Sequence, residues 1–257
     1  MAHGIPTLET RDWNFKNDVK VTGHFERSPD RCYLEEFFLK RPAINADIDQ
    51  VYTVEVARAA NKDFETLGTN ATTALVTYSA TEAGIKLTTA GADNDQIIIL
   101  PHLDTTTTAW TGYKWGTENQ VVWETAIRTG ASVATLLIWA GLKLTNTPTV
   151  ATDDDQVFFR YSTDDSDTTW QVESSIGGTD TSTSTTVSVA ASTIYKFKIV
   201  INSDRKASCY INDTLVYTTA ALTNDVDLIP YVGIQSLSAA ADNITLFYEK
   251  ISRVLFE

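Results

Sequence analysis

The chain has 257 residues, 43% of them hydrophobic, with Lys+Arg 20 against Asp+Glu 33 for a net charge of −13. That apolar content supplies a full core and excludes a disordered chain, and the acidic surplus argues against nucleic acid or an anionic membrane as partner. Cys32 and Cys209 are the only cysteines, which argues against a disulfide scaffold or a structural zinc site.

The opening MAHGIPTLETRDW lacks a basic stretch followed by an apolar one, and no apolar run reaches the roughly 18 residues of a membrane helix. Synthesis and folding in a cytoplasm are therefore expected. Residues 1–45 balance seven basic against seven acidic side chains, so the whole acidic excess lies on residues 46–257. A neutral arm on an acidic body suggests that the arm contacts something while the body faces solvent; acidity that merely aids solubility is the alternative.

Within the arm, Trp13, Phe15, Val19, Val21 and Phe25 are apolar at odd positions, as in an extended segment. Ser28-Pro29-Asp30 supplies a hydroxyl N-cap and a proline where its missing N–H costs nothing, so a short helix is expected next. Tyr33, Leu34, Phe37 and Phe38 would form its apolar face and Pro42 would end it, although CYLEEFFL also suits a short strand.

From Val51 onward the pattern is strands: 51–58 (equally readable as helix), 74–79, 84–90, 96–103, 119–130, 135–144, 157–162, 169–178 and 186–191. Thr105 to Thr108 reads as an edge or loop, and TDTSTSTT (179–186) as a surface loop. In TIYKFKIVINSDRKASCYINDTLVYTT, Tyr195, Phe197, Ile199 and Ile201 alternate with polar residues, the mark of a sheet with one buried face. Asn202-Ser203-Asp204 and Asn212-Asp213 are turn chemistry. Segments 228–238 and 243–257 close the chain. So many strands, with turns every 8–15 residues or so, imply an all-β sandwich or barrel.

NQVVWETAIRTG, YKFKIVINSDRKASCYINDTLVYTT and LIPYVGIQSLSAAADNITLFYEKISRV resemble strands of the concanavalin-like or laminin-G-like jelly roll. The resemblance spans about residues 64–257 and implies a two-sheet antiparallel sandwich preceded by an N-terminal arm. ADNDQIIILPHLDTTTT, GLKLTNT, ATDDDQVFFRYSTD and SIGGTDTSTSTT are similar to stretches of structural proteins of tailed bacteriophages. That likeness implies a head decoration (cement) or fibre protein, often trimeric, at the virion surface. The arm would then bury Trp13, Phe15, Phe25, Tyr33, Leu34, Phe37 and Phe38 against the major capsid protein or a neighbouring copy.

Chemical sites are sparse by pattern. Glycosidases on this fold carry E-x-D-x-x-E on one strand, and this chain has no such motif. Glu118 and Glu124 share a face but would lie about 20 Å apart, whereas paired glycosidase carboxylates sit about 5–10 Å apart. An ion pair between Glu124 and Arg128 is expected instead, with Trp123 in the core, and no enzymatic role is expected. His3, His24 and His102 are scattered, and there is no nucleophile elbow or phosphate loop. No cofactor is expected; if any metal binds, it is calcium at Asp153, Asp154 and Asp155 or at Asp164, Asp165 and Asp167. The rival to virion decoration is a lectin-like module on a fibre or tail, holding polysaccharide on exposed Trp110, Tyr113 and Trp115.

Overall fold

The computed structural model describes residues 31–42, 44–45, 64–79, 81–101, 115–145 and 153–255. Among the described residues, two sheets of eight strands each face one another, and every strand pairing is antiparallel except β2 with β3. The strands are β1 (Arg31–Glu36), β2 (Ile44–Asn45), β3 (Phe64–Leu67), β4 (Val76–Tyr78), β5 (Ile85–Thr88), β6 (Gln96–Pro101), β7 (Val122–Thr129) and β8 (Leu136–Lys143). They continue with β9 (Gln156–Ser162), β10 (Thr169–Ile176), β11 (Thr179–Ser188), β12 (Ile194–Ile201), β13 (Lys206–Ile211), β14 (Thr214–Ala221), β15 (Ile229–Ser236) and β16 (Asn243–Val254). Sheet 1 runs β14-β13-β12-β7-β16-β5-β4 with β1 also on β16, and sheet 2 runs β11-β10-β9-β8-β15-β6-β3-β2. This is the expected two-sheet jelly-roll sandwich. Among the described residues, no helix is long and apolar enough to cross a membrane.

Period-two alternation builds the core. Tyr195, Phe197, Ile199 and Ile201 are all buried, as the β12 pattern requires. Their rings identify the inner face of sheet 2: Phe159 stacks on Phe197 at 4.6 Å between centroids, and Trp170 meets Phe197 and Tyr195 at 4.8 and 5.2 Å. The turn between β13 and β14 places Asn212 and Asp213 at φ 50° and 65°. Two consecutive left-handed residues make the tight hairpin whose twist suits the strands, and Asn and Asp tolerate it best after glycine.

Glu249 brings a carboxyl between the two sheets. Glu249 on β16 is 2% exposed; the Trp123 indole N–H donates to its Oε1 at 3.2 Å, and among the described residues its Oε2 has no hydrogen-bond partner. Burial pushes this carboxyl up to about 7, against the Trp123 hydrogen bond.

Two expected elements differ. Arg31–Glu36 is a strand, not a helix, and it pairs with the second half of β16. Cys32 and Leu34 pack against the core, while the Arg31 guanidinium donates to the Gln120 and Ser252 carbonyls. As a helix this segment would leave an open row of β16 backbone groups, and the sheet pairing outweighs the local helix start. The Thr/Ser stretch from Thr179 is likewise no loop: it is the ten-residue edge strand β11, paired with β10. Threonine is β-branched and favours strands, and short polar side chains suit an exposed edge. The strand expected at 51–58 and the Thr105–Thr108 tract lie outside the described residues.

Candidate functional site on the outward face of sheet 2

The residues of β8, β9, β10 and β15 that alternate with the core point away from sheet 1. Register aligns them in rows: Gly233, Trp139, Arg160 and Gln171; then Tyr231, Gly141, Phe158 and Glu173; then Ile229, Lys143, Gln156 and Ser175. The largely apolar β8, β9 and β15 therefore share with β10 an aromatic and polar outer face. Gly141 is required here, because a Cβ at that position would lie 2.4 Å from Phe158 Cα.

The middle of this face is buried. Trp139 stacks on Tyr231 at 6.1 Å, and the Lys143 ammonium lies over the Tyr231 ring at 4.6 Å. Lys143 Nζ also pairs with Asp153 Oδ2 at 3.6 Å, and Asp153 accepts from Thr145 N and Oγ1. Burial pulls the Lys143 ammonium below its ordinary value against the pull of Asp153, and it raises the Tyr231 phenol. Among the described residues, Gln156 Oε1 and Ser175 Oγ are buried without a hydrogen-bond partner.

Towards β10 and β11 the face opens. The Arg160 side chain, 23% exposed, reaches three carboxylates: Asp165 at 3.1 Å, Asp167 at 3.5 Å and Glu173 at 3.1 Å. Glu173 Oε1 also accepts from Ser182 Oγ, and Asp167 accepts from the Ser162 amide. Gln171, Thr169 and Ser184 form a hydrogen-bonded rim beside them. Burial raises both Asp167 and Glu173 above their ordinary values, outweighing the hydrogen bonds and Arg160. Two carboxyls that hold their protons more tightly, on one guanidinium, can donate and accept hydrogen bonds or exchange a proton with a bound hydroxyl.

The residues expected from sequence fare unevenly. Trp13, Phe15, Phe25, Trp110 and Tyr113 lie outside the described residues. Trp115 is 3% exposed, so it is a core residue and not a sugar platform. Tyr33 and Leu34 sit in β1; Phe37 is exposed, but Phe38 is fully buried against Phe64 and is not available to an interface. Glu124 pairs with Lys198 at 3.0 Å and not with Arg128, which pairs with Glu82. A neighbouring strand and the β4–β5 turn, not residues four apart along one strand, supply these partners. Of the acidic loops, Asp153 binds Lys143, Asp155 accepts from the Gly177 amide, and Asp165 and Asp167 hold Arg160. Among the described residues, no three His, Cys, Asp or Glu side chains gather as a metal set. Sequence reasoning missed Arg160 and Glu173, whose only signal was a lone charge in each of two strands.

The fold and this face define an all-β sandwich of jelly-roll type. Residues 102–228 match the family model described as SO2946-like, C-terminal domain. Among solved structures, the chain is similar to SO2946, a protein of unknown function from Shewanella oneidensis MR-1, at 12% identity and TM-score 0.55, covering 99% of this chain and 98% of that one. A family 7 alginate lyase, A1-II′, is similar at 11% identity and TM-score 0.52, over 71% of this chain and 85% of that one. The Crh5 transglycosylase is similar at 13% identity and TM-score 0.51, over 86% and 84%. No curated protein sequence matches the chain. At such identities these likenesses show the fold alone. They also overturn the expectation of a non-enzymatic protein, because a lyase and a transglycosylase are built on this fold. The spacing of Glu118 and Glu124 never tested Asp165, Asp167 and Glu173, which converge on Arg160.

Proposed function

We propose that this protein engages carbohydrate on the outward face of sheet 2, along the open wing formed by Arg160, Asp165, Asp167 and Glu173. The observation that carries this reading is the half-open guanidinium held among three carboxylates and rimmed by Gln171, Thr169 and Ser184. Sugars present adjacent hydroxyls that give and take hydrogen bonds, and bonds to charged groups are roughly twice as strong as neutral ones. The likeness to an alginate lyase and a transglycosylase supports the reading at the level of fold. If a glycosidic bond is broken here, Glu173 and Asp167 are the groups to move the proton, since burial raises both.

Virion decoration is the weaker reading. One of its anchoring side chains, Phe38, is spent in the core, and another, Leu34, is packed in a sheet strand. The test is retardation of the protein in gels containing alginate, a neutral glucan or a xylan, followed by assay of released oligosaccharide. Retardation by at least one polysaccharide is expected, weakened about tenfold in Glu173→Gln as a charge-assisted hydrogen bond is lost. No retardation, or an unchanged variant, refutes the site.

A further inference from the structure

A second site lies on the opposite sheet. Where β4 turns into β5, β7 ends and β16 begins, a pocket of about 330 Å³ opens on the outer side of sheet 1. Small-molecule sites run from about 300 to 1,000 Å³, so this one suits a single sugar-sized unit. Thr245 pairs with both Lys86 and Arg128, which places the two cations in one row across three strands.

The charges do not cancel. Glu82 pairs with Arg128, while among the described residues the Lys86 ammonium has no ion pair or side-chain hydrogen bond. Among the described residues, Arg128 Nε is buried without a hydrogen-bond partner. Ser79, Ser192 and Asn243 add hydroxyl and amide groups to the lining. The walls are held by backbone bonds, Ser192 N to Gly130 O at 2.8 Å and Thr129 N to Thr193 O at 3.0 Å. Gly130 admits the β16 backbone closely, since a Cβ there would lie 2.6 Å from Asn243 O. A rigid, preformed pocket saves the cost of ordering its groups on binding.

We infer that this pocket binds a hydroxyl-rich monoanion of the sugar-acid class, its carboxylate on Lys86 and Arg128 and its hydroxyls on Ser79, Ser192 and Asn243. A lining with one uncompensated positive charge matches one carboxylate. The net charge of −13 repels a polyanion at a distance, so a single acid unit or chain end fits better than a charged polymer. The inference does not rest on the carbohydrate reading of sheet 2, which concerns a different face and different ligands.

Calorimetric titration of the full chain with glucuronate, glucose and inorganic sulfate tests it, using wild type, Lys86→Gln and Lys196→Gln. Lys196 is an exposed lysine of the same sheet, 4.0 Å from Asp213 and outside the pocket lining. Saturable glucuronate binding is expected, with glucose and Lys86→Gln each weaker by about tenfold or more and Lys196→Gln unchanged. Absence of saturable glucuronate binding overturns the inference, as does glucose of equal affinity or an unaffected Lys86→Gln. Sulfate binding as tightly as glucuronate also overturns it, because the pocket would then read charge without hydroxyls.

Discussion

Replacing Glu249 with glutamine tests the balance between burial and hydrogen bonding inside this sandwich. The carboxyl lies against the Trp123 indole N–H with its second oxygen unpartnered, and burial moves it from 4.5 to about 7. Because the folded value is the higher, the folded chain holds this proton more tightly than the unfolded one. Its stabilising effect is therefore complete below the unfolded value, and it is lost as pH rises through the folded one. The rise from 4.5 to about 7 corresponds to roughly 3 kcal/mol. Urea unfolding followed by tryptophan fluorescence, repeated between about pH 4.5 and pH 8, measures it. The stability of Glu249→Gln relative to wild type should rise by roughly 3 kcal/mol across that window. Glutamine brings its own buried amide, which adds a constant offset and no slope. Asp167, Glu173 and Asp242 are also raised by burial, but they are common to both proteins and cancel in the difference. Parallel stability curves for the two proteins would refute the reasoning.

Two further outcomes follow from packing. Gly141→Ala forces a methyl to within 2.4 Å of Phe158 Cα, and overpacking of this kind costs about 1–3 kcal/mol in chemical denaturation; an unchanged midpoint would show that β9 yields freely. Burial pushes the Cys209 thiol up to about 12, whereas Cys32 is half-buried. Iodoacetamide at about pH 8 should label Cys32 ahead of Cys209 in the folded chain and both alike in denaturant, as mass spectrometry will show.

The core strands were legible because their signal is local. Tyr195, Phe197, Ile199 and Ile201 alternate, and Asn212-Asp213 is turn chemistry, so both hairpins that flank β13 could be drawn from residues a few places apart. β1 was not legible, since CYLEEFFL satisfies a helix nearly as well as a strand. The choice falls to β16, more than two hundred residues on, whose second half needs an edge partner. The stretch from Thr179 misled for a related reason: its polarity suggested a loop, and only its pairing with β10 makes it a strand.

Composition and periodicity thus determined an acidic, all-β, two-sheet protein with most of its strands and much of its core. They did so because hydrophobic alternation acts between residues two apart on one strand. Which polar side chains meet was decided by tertiary structure alone. Arg160 reaches Glu173 through the β9–β10 register and Asp165 and Asp167 through the turn joining those strands, and Lys86 comes beside Arg128 only because β16 lies between β5 and β7. Register sets which side chains face each other across strands, and a shift of one residue would turn Arg160, Glu173, Lys86 or Arg128 to the opposite face of its sheet.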